Sequence, residues 1–199
     1  MSNHRYRSDF FWYKPEPPLE VKGGIRAGSR RGGFAANWWG RRWIEVLESF
    51  QIGARLGRGR SYARRGQVAN LEVEKGIVRA KVQGTQAKPY HVIIELQALS
   101  KSKWLKVARG IGKRPIITTK LLGAEMPAEL EDVFAQAGVA LFPEKYNDLE
   151  TACSCPDWSN PCKHIAAVYY LLAEAFDQDP FLLLKLRGLG REEFVSLLR

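Results

Sequence analysis

Sulfur and imidazole are scarce in this chain: 199 residues hold three cysteines, two methionines and three histidines. An odd, small number of cysteines excludes the paired disulfide framework of small secreted domains. Long apolar runs are missing too. The longest, Ile165 to Ala173, has nine residues, where a membrane span needs 18 or more. The first residues, Met1 to Arg7, lead into no signal-peptide core and no small-residue cleavage site. The expectation is a soluble, cytoplasmic protein with no membrane partner. Apolar residues at 45% and charged residues at 26% exclude wholesale disorder.

Acidic residues are sparse in one region only. Residues 1–120 hold 25 Lys or Arg against 8 Asp or Glu, a net +17, whereas residues 121–199 hold 6 against 13, a net −7. From Ser100 to Lys120 there are seven basic residues and no acidic one. An excess of this kind points to a polyanion, nucleic acid first, with a merely solvated basic surface as the alternative.

Residues 1–33, with their prolines and Gly/Arg stretch, read as a flexible tail, apart from Phe10-Phe11-Trp12-Tyr13, which should dock on the domain or a partner. Asn37 suits a helix cap, and Trp39, Trp43, Val46, Leu47 and Phe50 then fall on one helical face. Tryptophans so spaced belong to a core, with base stacking as the alternative. Glycines punctuate residues 55–66, Arg55-Leu56-Gly57-Arg58-Gly59-Arg60-Ser61-Tyr62-Ala63-Arg64-Arg65-Gly66, and predict a mobile basic loop. It carries neither the P-loop nor the dinucleotide fingerprint. Arg55, Arg58, Arg60, Tyr62, Arg64 and Arg65, with Lys101, Lys103 and Lys106, are the candidate nucleic-acid contacts: cations for phosphates and one ring for stacking.

Alternation of apolar and polar residues predicts a hairpin turning at Lys75-Gly76. Its register sets Val73 opposite Val78, Leu71 opposite Ala80, Ala69 opposite Val82 and Glu72 opposite Arg79. Tyr90, Val92, Ile94 and Leu96 form a third strand, with His91 outward. Trp104, Leu105, Ala108 and Ile111 fit a short helix; Pro127 begins another, with Leu130, Val133, Phe134 and Ala137 inward and Gly138 ending it.

All three cysteines lie in one segment, Cys153-Ser154-Cys155-Pro156-Asp157-Trp158-Ser159-Asn160-Pro161-Cys162-Lys163-His164, or C-x-C-x6-C-x-H. Three thiolates and one imidazole make the tetrahedral Cys3His set that structural zinc prefers. Cys153 and Cys155 flank Ser154 in an extended segment. Asn160 can cap a helix whose first position is Pro161. Residues two apart in a regular helix diverge by about 200°, so Cys162 must lie at an irregular helix start for its side chain to meet that of His164. Ile165, Val168, Tyr169, Leu172 and Phe176 then anchor the helix. A Cys-His nucleophile leaves two cysteines unexplained, a redox pair has no need of the histidine, and an iron–sulfur cluster normally takes four cysteines. Catalytic residues are expected to be none, because four protein ligands close the site.

This cluster resembles the SWIM-type zinc finger, whose pattern is C-x-C, a variable gap, then C-x-H on a β-β-α framework. The resemblance covers roughly residues 140–176 and implies binding, to DNA or to protein. The order of elements is similar to that of small bacterial SWIM proteins, which are often associated with Swi/Snf-type helicases. The expected fold is α+β: an antiparallel three-stranded sheet, packed helices and a C-terminal ββα zinc-binding unit followed by short helices. Its divisions are the tail (1–33), a basic α+β domain (34–138), the finger (139–178) and C-terminal helices (179–199). Its expected role is to bind nucleic acid, DNA more than RNA, around one structural zinc. The alternative is an adaptor that docks a Swi/Snf-type helicase through the finger and the acidic C-terminal helices.

Overall fold

A computed structural model describes residues 16–29, 32–49, 53–145 and 148–198. The aromatic patch at residues 10–13 and Phe50 lie outside them. The elements in chain order are α1 (Trp38–Ser49), α2 (Ala54–Arg65), β1 (Val68–Glu74), β2 (Ile77–Val82), β3 (Tyr90–Leu96), α3 (Lys101–Gly112), α4 (Pro115–Leu122), α5 (Glu129–Gln136), β4 (Leu149–Cys153), α6 (Lys163–Gln178), α7 (Phe181–Leu186) and α8 (Arg191–Leu197).

The sheet has four strands, not three, in the order β1-β2-β3-β4, and its pairs are antiparallel. The added strand is the segment leading into the first cysteine, with Cys153 opposite Val92 and Leu149 opposite Leu96. Five residues are too few to show a period on their own, and only pairing with β3 makes them a strand. The hairpin register holds at Val73–Val78, Leu71–Ala80 and Glu72–Arg79. At its far end a bulge puts Val68, not Ala69, opposite Val82. The shift gives the inward place to Val68, which is fully buried, while Ala69 is exposed. Arg79 ion-pairs with Glu74 at 3.9 Å rather than with Glu72.

Residues 55–65 are helical, which corrects the expectation of a mobile loop. Gly59, Tyr62 and Ala63 are the buried face of α2, and Gly66, at φ 75°, closes the helix in the left-handed conformation that glycine allows. Local propensity argued against this helix, and packing against α6 supplies what propensity lacks. Helix α4 was likewise hidden within the basic run. The rest of the helical reading holds in part. Ser100 caps α3 by accepting from the Lys103 amide, but Leu105 is exposed and Val107 takes the inward place beside Trp104, Ala108 and Ile111. Helix α5 starts at Glu129 rather than Pro127, with Leu130, Val133 and Phe134 inward, Ala137 half-buried just past its end and Gly138 following at φ 71°.

Helix α6 occupies the centre, with α1 and α2 against it on one side and the sheet on the other. Residues 164–173 and Phe176 are buried, so this is a core helix rather than an amphipathic one. Trp43 stacks on Tyr169 at 4.3 Å and donates its indole N–H to the Tyr169 carbonyl, and Trp39 donates to that of Phe176. The α1 tryptophans are therefore core residues. The Asp177 carboxylate, at the end of α6, accepts from the Ala36 and Asn37 amides and so fastens the chain just before α1. The Asn37 side chain, expected to cap α1, donates to the Asp177 carbonyl instead. Phe181, Leu183, Leu184, Leu186 and Phe194 of α7 and α8 are buried in the same core.

Part of the expected tail lies against the domain. The Leu19 amide donates to Gly84, the Ile25 amide donates to Val68 beside the bulge, and Ala27 is buried. Backbone pairing, invisible in the composition of the segment, holds it there. No helix among the described residues is long and apolar enough to cross a membrane.

Candidate metal centre

The end of β4 and the start of α6 carry the four sulfur and nitrogen donors. Ser154 extends the strand beyond β4: its amide donates to the His91 carbonyl at 3.0 Å, and its hydroxyl accepts from the His91 amide at 2.9 Å. With Ser154 so fixed, Cys153 and Cys155 project to one face, as alternate residues of a strand do. Pro156 then breaks the ladder. Cys162 occupies the extended position before α6, at φ −84° and ψ 175°, and its carbonyl accepts the Ala166 amide as the first bond of the helix. The irregular helix start required by the spacing is therefore present. Asn160 does not cap α6. Its side-chain amide donates to the Thr151 carbonyl at 2.7 Å and its oxygen accepts the Thr151 hydroxyl, which ties the loop to β4.

Cys153, Cys155, Cys162 and His164 place their ligand atoms within 4.8 Å of one another. His164 Nδ1 lies 3.8 Å from Cys153 Sγ and 3.7 Å from Cys162 Sγ. Zinc bonds of about 2.0–2.3 Å in a tetrahedron set ligand edges of roughly 3.5–3.8 Å. The donor set and its dimensions suit one zinc ion. Its four protein ligands match the closed, structural type of site.

Proton distribution within the cluster agrees. A hydrogen bond with Cys162, together with burial, pushes the Cys153 thiol up, and burial pushes Cys155 up. Cys162 is held well below the ordinary thiol range, first by the hydrogen bond from Cys153, then by those from His164 and the Ile165 amide at the helix start. Three thiolates this close repel one another, and a divalent cation removes the need for the shared protons. Cys162 is only 1% exposed, which withholds its sulfur from a substrate. The His164 ring is packed against Tyr90 at 4.7 Å and Tyr62 at 5.3 Å.

A cleft of about 500 Å³ opens beside the cysteines, lined by Arg58, Tyr62, Arg65, Tyr90, Lys163 and Asp157 among others. The candidate contacts on α2 divide. Arg58 and Arg65 are exposed on the cleft. Arg60 and Arg64 face away and serve the fold: Arg60 donates to Glu48 at 3.2 Å and to the Tyr170 hydroxyl at 2.9 Å, while Arg64 donates to the carbonyls of Ser29 and Gly32 and lies over the Phe34 ring at 4.8 Å. Arg55 stands over the Trp158 ring at 5.8 Å. Lys101, Lys103 and Lys106 belong to α3, which packs on α4, α5 and α8, and none of them lines this cleft. Lys163, Tyr90 and Trp158 join the site without having been singled out in the sequence. Lys163 stands beside a ligand and Trp158 breaks every helical or strand period, and these were the available signals.

The SWIM zinc finger family matches residues 133–173. Over 186 residues the chain is 50% identical to an uncharacterized protein of Mycobacterium tuberculosis, a match that covers 93% of this chain and 67% of that protein. No solved structure matches the chain.

Proposed function

This chain belongs to the SWIM zinc-finger family, and on that premise we propose that it binds nucleic acid, DNA ahead of RNA, with zinc as its structural staple. One observation carries the reading: Arg58, Arg65 and Lys163 border the same cleft as Cys155 and His164. Cations from α2 and from the first residue of α6 thus converge on one surface, and the metal ligands on either side hold it in shape. Glu16 and Asp157 also line the cleft, but Asp157 is engaged by the Ser159 amide at 3.1 Å. Contacts of this type grip phosphates and carry no base readout.

Fluorescence anisotropy on duplex DNA, oligo-dT and oligo-U between about 50 and 200 mM salt tests the reading. Wild-type affinity should fall steeply with salt. Arg58→Ala combined with Arg65→Ala should weaken binding and flatten the log–log slope by roughly 0.7–0.9 for each phosphate no longer neutralised. Unchanged affinity and slope on every probe would overturn the reading. Docking of a Swi/Snf-type helicase through the finger and the acidic C-terminal helices would then come first.

A further inference from the structure

Five tryptophans lie in the described residues. Four of them, Trp38, Trp39, Trp43 and Trp104, donate the indole N–H to main-chain carbonyls of Met126, Phe176, Tyr169 and Arg187, and are buried or half-buried. Trp158 is 90% exposed. A side chain that offers so much apolar area normally contributes it to a core or an interface.

The support beneath Trp158 is firm. It stands in the loop between Cys155 and Cys162, so metal ligands bound it on both sides. Within the loop the Ser159 amide donates to Asp157 Oδ1, and Asn160 exchanges two hydrogen bonds with Thr151 on β4. The indole therefore projects from a braced turn that zinc would fasten further. Arg55 stands over one face of the ring at 5.8 Å, so a base would use the other, and Arg58, Arg65 and Lys163 border the adjoining cleft.

We infer that Trp158 is a stacking platform for an unpaired base, and that the ligand is a single-stranded polynucleotide whose phosphates run along Arg55, Arg58, Arg65 and Lys163. The inference rests on the nucleic-acid reading above and narrows it. In a duplex every base has its faces covered by its neighbours, and a projecting ring meets only edges, sugars and phosphates. An unpaired base offers a free π-face, and any base will do, so stacking of this kind favours single strands without demanding a sequence. The braced turn fixes the backbone that carries the indole, which lowers the ordering cost of binding.

The test uses the full, zinc-loaded chain with oligo-dT, oligo-U of equal length and a DNA duplex. Wild type should prefer the single strands, and the better of the two assigns the source to DNA or RNA. Trp158→Ala should weaken single-strand binding about 5- to 150-fold, with duplex binding, zinc content and melting temperature unchanged. Trp158→Phe, which keeps a ring, should recover most of the affinity. If Trp158→Ala binds single strands like wild type while the Arg58/Arg65 double variant loses affinity, the stacking role falls and the nucleic-acid reading stands. If wild type binds none of the three probes, both fall.

Discussion

Gly59 lies against Ala166 so closely that a Cβ built on the glycine would stand 2.5 Å from the alanine Cβ and 3.1 Å from its carbonyl carbon. Helix α2 can therefore approach α6 only where a side chain is missing. Each interior glycine costs a helix about 1 kcal/mol relative to alanine, and at Gly59 the close packing offsets that cost. Gly57, on the exposed side, meets nothing within 4 Å.

Opposite outcomes are thus expected two residues apart. Gly57→Ala should stabilise the protein by about 0.5–1 kcal/mol, a rise of roughly 1–4 °C in melting temperature. Gly59→Ala should destabilise it by about 1–3 kcal/mol, because the helices must separate to admit the methyl group. Thermal melts of the two variants decide it, and a stabilised Gly59→Ala protein would contradict the packing.

Removal of zinc should be felt beyond the finger. Strand β4 is part of the common sheet and α6 is the centre of the core, so the ligands join elements that the whole domain shares. One zinc per chain is expected by elemental analysis. Chelation or Cys162→Ser should lower the melting temperature by at least about 10 °C, equivalent to a few kcal/mol in a chain of this size. Alkylation of Cys153, Cys155 and Cys162 should be slow until a chelator is added.

Arg60 and Arg64 should behave unlike Arg58 and Arg65. Their guanidinium groups are taken up by Glu48, Tyr170, Phe34 and main-chain carbonyls. Arg60→Ala and Arg64→Ala should each lower stability by about 0.5–1 kcal/mol, discounted for partial exposure, and leave the salt slope of binding where it was. A flattened slope with unchanged stability would place these arginines on the ligand instead.

Tyr170 gives an alkaline signature. Burial pushes its phenol from the usual 10 up to about 12, with Glu48 adding to the rise and Arg60 opposing it. A raised folded-state value means that the neutral phenol is the form the fold favours. Its contribution is complete below about pH 10 and is lost as pH climbs through about 12. Tyr170→Phe should be less stable at neutral pH by about 1 kcal/mol, for want of the bonds to Glu48 and Arg60, and should lose stability more gently between pH 10 and 12. Urea melts across that range check both limbs.

What could be read from the chain tracks how local each cause is. The four ligands were legible because metal chemistry fixes both residue types and spacing, and the geometric argument that expelled Cys162 from the regular helix needed only the pitch of a helix. The hairpin was legible down to Val73–Val78, since both faces agreed on one register. Where a partner distant in sequence decides, the residues misled: Gly59 reads as a breaker until Ala166 is beside it, and Leu149–Cys153 is no strand until β3 is there to receive it. The bulge at Val68 depends on burial that Ala69 could not have supplied. Trp158 was passed over because it fits no period, which is the signature of a side chain with no place in the core.

The position of α6 along the chain has a consequence for synthesis. The helix on which α1, α2 and the sheet all close comes after residue 162 in a chain made from the N-terminus. Until it leaves the ribosome, Trp43 lacks Tyr169, the residues before α1 lack the Asp177 carboxylate, and the faces of α1 and α2 that pack on α6 have nothing to cover them. Long-range closure of this kind is slow, and during translation it has to wait. The last two donors, Cys162 and His164, emerge with the opening turn of that same helix. Metal capture and core closure therefore become possible at one moment of elongation, and a nascent chain stopped short of it would have neither.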